Sequence, residues 1–367
     1  MLISVLGASG DVGLASVRAL LSLGLDELRL GGRDAGKGAR CLATLQQQWP
    51  TARLHWVTVD FNDAPAMAAF ADGCDVLLNC AGPSWRMGDR CAQAALQARA
   101  HYVDAAGDVT LDPKLWLDRC AVLGAGLQPG LTGLLPRWLA QRDFTQVHRL
   151  HSYFGLRDQF TLVAADDFLQ GATDGSSEPL AAWHNGRRSR ALTRRRDVAL
   201  PCFPGQVQVL PYLNHEGERL AMDLRLEVGQ WFNVIIDGYV LKALDLAHSL
   251  PRAEATQRLR QASLLDLSAQ APFVTLLLQL DGQFDGQPIT RSVVLGGSGN
   301  AALTGAMAAV TVTGVAQDEI PAGCHHAAQV LRPAISFERL QRTSAISALR
   351  VMDTPIERLL CAEEGSL

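Results

Sequence analysis

Three glycines near the start of the chain carry the sharpest chemical signal. In Leu2-Ile3-Ser4-Val5-Leu6-Gly7-Ala8-Ser9-Gly10-Asp11-Val12-Gly13 a short apolar run ends in the spacing G-x-x-G-x-x-G, and a helical pattern follows from Leu14 to Leu23. A strand, a tight turn and a helix N-terminus in that order suit a dinucleotide. The glycines let the backbone approach a pyrophosphate, and the unpaired N–H groups of the helix N-terminus face its negative charge. Gly7, Ala8, Ser9, Gly10, Asp11, Val12 and Gly13 are therefore the expected phosphate grip.

Arg33 stands twenty residues beyond Gly13. An acid at that distance binds the ribose 2′-hydroxyl of NAD, whereas an arginine accommodates a 2′-phosphate. With Lys37 and Arg40 close by, the expected cofactor is NADPH. Further candidates stand where strands should end. Asp60-Phe61 lies where the adenine would rest, Cys80-Ala81-Gly82-Pro83 offers small residues beside the nicotinamide, and Gly107 belongs to the next loop.

Hydride transfer needs the nicotinamide and the acceptor carbon held in register, with a proton or hydrogen-bond donor near the acceptor heteroatom. Asp104 and Asp108 flank the loop after the fifth expected strand. Either could donate that proton, or orient an amine or a water, or merely cap the next element. Tyr153, late in a strand of the second half, is the third candidate donor, with packing as its other use. None of the four tyrosines has a lysine four places on, which sets aside the Tyr-x-x-x-Lys chemistry of short-chain dehydrogenases.

These groups need an α/β scaffold, and the hydrophobic pattern predicts one. Strands are expected at Glu27–Gly32, Arg53–Val59, Asp75–Asn79, His101–Asp104 and Val122–Leu127. Helices are expected over Ala35–Gln48, Pro65–Ala71, Ser84–Ala98 and Leu111–Cys120. Such alternation implies a doubly wound parallel sheet, the Rossmann arrangement, with ligand loops at the strand C-termini. From about Gln146 the pattern changes. Val147–Phe154, Leu224–Ile236, Phe273–Phe284 and Ile289–Leu295 read as strands, the last two joined by the hairpin dipeptide Asp285-Gly286. With helices at Gly238–Ser249 and Pro251–Asp266, this is a mixed α+β domain for substrate and dimerisation. The domain expectation is residues 1–130, 131–303 and a C-terminal segment 304–367. That segment contains a small-residue helix Thr304–Thr313 closed by Gly314, then Ser336–Arg342 and Ile346–Asp353, and returns to the first domain.

At this point the motifs resemble a family. Gly7–Gly13, Gly31-Gly32-Arg33-Asp34, Asn79–Pro83, His101–Asp108 and Gln128-Pro129-Gly130 come in the order seen in saccharopine dehydrogenase/reductase-like proteins and cover the first third of the chain. The resemblance implies NADPH along the strand C-termini and a second domain over the nicotinamide. In length and two-domain plan the chain is similar to thiazolinyl imine reductases of the enantio-pyochelin type. That likeness implies reduction of a thiazoline ring on a siderophore intermediate tethered to a peptide-synthetase carrier domain.

Other residues are weaker candidates. Asp166-Asp167-Phe168 and the Gln170–Ser176 stretch read as a solvated loop that could line a cleft. His215 falls in a turn, and His325-His326 stands at a helix start. The run Arg187, Arg188, Arg190, Arg194, Arg195 and Arg196 reads as a solvated hairpin, or as a docking patch for an acidic carrier domain. A net charge of -4 and the absence of aromatics within the basic run disfavour nucleic acid. Eight scattered cysteines without a C-x-x-C pair argue against a zinc knuckle or a disulfide framework, so no metal is expected. The uncharged stretch Ser292–Gln317 is diluted by Gly, Ser, Thr and Ala, and reads as a buried helix rather than a membrane span.

The expectation is a cytoplasmic, homodimeric NADPH-dependent reductase of a C=N bond. Two alternatives stand beside it: a saccharopine- or opine-type reductase joining an amine to a keto acid, and a catalytically silent NADPH-binding sensor.

Overall fold

Strands of four to six residues alternate with helices through the first third of the chain, the order from which a parallel sheet is built. A computed structural model describes residues 1–105, 110–171, 175, 177–236 and 238–363. Two units form: Met1–Leu134 with Ala301–Ala345, and Leu135–Asn300 with Ile346–Leu367.

The first unit runs β1 (Ile3–Leu6), α1 (Asp11–Ser22), β2 (Glu27–Gly32), α2 (Ala35–Gln48), β3 (Arg53–Thr58), α3 (Ala64–Ala71), β4 (Val76–Asn79), α4 (Ser84–Met87), α5 (Arg90–Gln97), β5 (His101–Asp104) and β6 (Cys120–Leu123). The sheet order is β3-β2-β1-β4-β5-β6 followed by the strand Gly323–His326, every pair parallel. Strand order reverses between β1 and β4, the switch point at which open α/β sheets bind ligands. Phe70, Leu77, Tyr102 and Trp116, each at most 1% exposed, lie in one core cluster of this unit.

The structure departs from the pattern at several places. The expected helix Ser84–Ala98 is two helices, because Gly88 takes φ 57° and ends the first. No helix forms over Leu111–Cys120, where only the turn Pro113–Leu115 is helical. Trp116 is buried but Leu115 and Leu117 are exposed, so these apolar residues share no face. His325 and His326 end the strand Gly323–His326, and His326 is also the N-cap of the short helix Ala327–Val330.

The small-residue helix is longer than expected, Asn300–Ala316, and is buried from Leu303 to Val315. Gly305 is what lets it approach α1. A Cβ there would stand 2.5 Å from the Ser16 backbone nitrogen, whereas one at Gly314 would meet only side-chain atoms 3.4–3.5 Å away. Both substitutions by alanine gain helix propensity, roughly 1 kcal/mol. A backbone clash outweighs that gain. Gly305→Ala should destabilise by about 1–3 kcal/mol, and Gly314→Ala should be neutral or stabilising. Urea unfolding with an unchanged m-value checks both.

In the second unit, Gln146–Arg157 lies between Val228–Ile236, to which it is parallel, and Phe273–Phe284, to which it is antiparallel. Asp285 (φ 48°) and Gly286 (φ 78°) both adopt positive φ, as the two-residue hairpin to Gln287–Gly297 demands. The C-terminal expectation needs correction here. Ser336–Arg342 falls in the first unit, but Ile346–Met352 pairs antiparallel with Gln287–Gly297 at the edge of the second sheet. Ile356 is buried in the second core, and its N–H donates to Gln279 Oε1 at 2.8 Å. The apolar side chains after Ala345 are used in the second unit. No helix among the described residues is long and apolar enough to cross a membrane.

Candidate cofactor and active site

Gly7, at φ 78°, starts the turn, and its N–H and that of Ala8 both donate to Gly31 O at 2.9 and 3.0 Å. A Cβ on Gly7 would lie 2.8–2.9 Å from the Cys80-Ala81 backbone, and one on Gly13 would lie 2.1 Å from Gly7 O. These two glycines allow the turn to close on itself and on the β4 loop. Gly10 serves differently. Its Cβ would meet only Gly7 O, at 3.2 Å, and Gly10 caps α1 with no side-chain hydrogen bond at that helix N-terminus. An uncapped twelve-residue helix behind an open glycine fits a pyrophosphate, which would supply the missing acceptors. Asp11 and Val12 occupy the first turn of α1, Asp11 exposed and Val12 half-buried.

At the end of β2, Arg33 and Lys37 are exposed on the α2 side. Asp34, the acid beside them, is used as the N-cap of α2 and accepts from Lys37 N at 2.8 Å. Ser9 Oγ would be 3.5 Å from a Cβ on Gly32, so the glycine turn and the β2 end are adjacent. Asp60 Oδ1 accepts from Asn62 N and Nδ2 at 2.9 and 3.0 Å, building its own turn, while Phe61 packs against the core.

The β4 end joins the turn: Cys80 N donates to Leu6 O at 2.9 Å, and Gly82–Pro83 is a cis peptide. Cys80 Sγ is 3.3 Å from Ser16 Oγ, and burial pushes its thiol up to about 12, so the sulfur stays neutral. Asn79 binds both ways, Oδ1 accepting from Ala81 N at 3.1 Å and Nδ2 donating to Asp104 Oδ2 at 3.2 Å. Asp104, only 2% exposed, also accepts from the Tyr102 hydroxyl at 2.6 Å. Burial, reinforced by the Asp104 charge, holds that phenol well above its ordinary range. Asp104 is thus a buried acceptor fed by two donors at the C-terminal end of β5. The motif reading missed Asn79 and Tyr102 as its partners. Tyr102 stands two residues back on one strand face, and Asn79 is the register partner on β4.

Gly107 and Asp108 lie outside the described residues. Tyr153 belongs to the second unit, where its ring stacks on Phe232 at 4.8 Å and its hydroxyl accepts from Arg195 at 3.4 Å. Asp166 is not in a loop but buried in the helix Leu162–Gly171, and Arg252 Nε donates to it at 2.6 Å. His215 opens the helix His215–Asp223, capped by Asn214. The basic run is partly used internally, since Arg187 pairs with Glu218 at 2.6 Å and Arg194 with Asp245 at 3.5 Å.

The parallel sheet, the glycine turn and the basic β2 end define the class: an NADP(H)-dependent oxidoreductase. Residues 3–118 match the saccharopine dehydrogenase NADP binding domain. That match gives this unit the character of a saccharopine dehydrogenase-type NADP-binding domain. Its fold is similar to that of apo histidine-tagged saccharopine dehydrogenase (L-Glu forming) from Saccharomyces cerevisiae, with TM-score 0.66 and 14% identity over 96% of this chain and 99% of that one. Citrobacter sp. triphenylmethane reductase complexed with NADP(H) matches 28% of this chain and 36% of its own at 20% identity, TM-score 0.24. Pen from Bacillus thuringiensis matches the same shares at 12% identity, TM-score 0.24. No curated protein matches the chain in sequence.

Proposed function

We propose that the protein is an NADPH-dependent reductase of C=N bonds, acting on a thiazoline ring carried by a peptide-synthetase domain. NADPH, when bound, supplies the hydride. The observation that carries the reading is the buried Asn79–Tyr102–Asp104 network at the end of β5, beside the glycine turn. The Asn79 amide and the Tyr102 hydroxyl both donate to Asp104 Oδ2, so the network presents a carboxyl oxygen as hydrogen-bond acceptor at this strand end. Such a group attracts the N–H of a protonated imine and aligns it, which a neutral carbonyl acceptor would not use. Water held at Asp104 supplies that N–H proton beforehand, and hydride addition to the iminium carbon leaves the neutral amine. Exposed Arg188, Arg190 and Arg196 support docking of an acidic carrier domain.

Asp104→Asn should lower kcat by about 100-fold and leave the Kd for NADPH within about two-fold. Loss of NADPH absorbance measures the first and fluorescence titration the second. Turnover only on a carrier-tethered thiazoline supports the full reading. Turnover on a free amino acid with a keto acid assigns the saccharopine type, and tight NADPH binding without turnover on any imine overturns the reductase.

A further inference from the structure

The mixed sheet of the second unit carries a bulge in its ladder. Between Gln146–Arg157 and Phe273–Phe284 the register steps from Asp281 opposite Arg149 to Gly282 opposite Val147, so His148 is left unpaired between these strands. Gly282 makes room for it, because a Cβ there would stand 2.1 Å from Gln146 O. On the other side of the bulged strand, Glu227 N donates to His148 O at 2.9 Å, and Glu227 Oε1 lies 3.1 Å from His148 Nδ1. His148, Arg149, Glu227, Asp281 and Thr290 thereby line one cavity of about 480 Å³.

The charges of this cavity are held apart. Arg149 and Asp281 are direct cross-strand partners, a position where opposite charges ordinarily pair. They do not, and among the described residues the Arg149 guanidinium has no hydrogen bond or ion pair. Asp281 is fixed by the sheet instead. Its Oδ1 accepts from Thr290 Oγ1 at 2.7 Å and Gln279 Nε2 at 2.9 Å, and its Oδ2 from Gln279 Nε2 at 3.1 Å. Gln279 is buried, and its own Oε1 is taken by Ile356 N. The carboxylate is thus set in orientation, with acceptor capacity left on Oδ2. Among the described residues no three His, Cys, Asp or Glu side chains are placed to hold a metal ion, so the partner that suits these acids is an organic cation.

We infer that this cavity is a second ligand site, for a free α-amino acid with an apolar side chain. Asp281 and Glu227 take its ammonium, Arg149 takes its carboxylate, and Pro288 and Ile289, which complete the wall, take the side chain. Opposite charges held apart on a rigid sheet match a zwitterion, and each charge-assisted bond to it satisfies a group that the fold leaves open. The volume falls within the range of small-molecule sites. Every lining residue belongs to the second unit, and none is assigned to NADPH or to proton transfer, so the amino acid is an effector and not the group that is reduced.

Calorimetric titration of the full chain into the millimolar range tests it with leucine, with N-acetyl-leucine, which lacks the ammonium, and with leucinamide, which lacks the carboxylate. Leucine should bind at least about ten-fold tighter than either derivative. Asp281→Asn should abolish the preference for leucine over N-acetyl-leucine. Arg149→Gln, at an exposed position that the fold does not depend on, should abolish the preference over leucinamide. Both variants should leave the Kd for NADPH within about two-fold, as distant sites do. No leucine binding, equal binding of the three probes, or leucine binding unmoved by both variants would overturn the inference. Leucine binding that persists in Asp104→Asn supports a separate site, whereas its loss there would seat the amino acid at the catalytic carboxylate and overturn the inference. The reductase reading is decided apart from this, by NADPH consumption on an imine with no leucine present.

Discussion

Gly13→Val should raise the Kd for NADPH by about 100-fold or more, equivalent to roughly 2.8 kcal/mol of binding energy. A Cβ at Gly13 would stand 2.1 Å from Gly7 O, a backbone atom that Gly10 N–H already holds at 2.9 Å. No rotamer relieves that contact, so the turn must open, and the N–H groups of α1 move away from the pyrophosphate. The same opening reaches β4, because Gly7 is packed against the Cys80-Ala81 backbone. Loss of stability could accompany the loss of binding, and Gly10→Ala separates the two. Its Cβ would meet only Gly7 O at 3.2 Å, so the fold should be retained. The added methyl stands where the backbone must approach phosphate, and affinity should fall about ten-fold. Thermal melts with and without NADPH report both quantities. A folded Gly13→Val protein that binds NADPH as the wild type does would show that the turn is not the phosphate grip.

Arg33→Asp should have the second largest effect, a change of about 100-fold in the preference for NADPH over NADH. The guanidinium stands exposed at the end of β2, next to Lys37, and Asp34 is committed to capping α2. Substitution removes a charge-assisted, bidentate partner of the 2′-phosphate and places a like charge beside it. NADH, which has a hydroxyl there, should lose little and can gain a hydrogen bond. The effect should shrink with added salt, since this corner is solvated. Paired titrations with the two nucleotides decide the matter. Equal losses for both would displace the 2′-phosphate from Arg33.

The first unit was more legible in sequence than the second, for a physical reason. In a parallel sheet each strand is a short apolar run followed by its own helix, so Glu27–Gly32, Ala35–Gln48 and His101–Asp104 have the bounds that periodicity predicts. Local steric demands are equally visible, as at Asp285-Gly286, where only certain residues tolerate positive φ. Periodicity failed where burial is decided by distant partners. Nothing local to Leu111–Cys120 says that Trp116 enters the core while Leu115 and Leu117 stay exposed, and nothing local to His325-His326 shows a strand completing the sheet beside β6. Asp166 looked solvated because its partner, Arg252, lies far along the chain.

Residue types and spacing by themselves determined the glycine turn, the basic end of β2, the alternating first unit and the hairpin of the second, because each depends on neighbours in the chain. Tertiary structure alone decided that Asp104 receives Asn79 and Tyr102 and that Ile346–Met352 closes the second sheet. Those outcomes depend on which strand ends fall side by side and which apolar faces are already covered, and only the packed chain settles either.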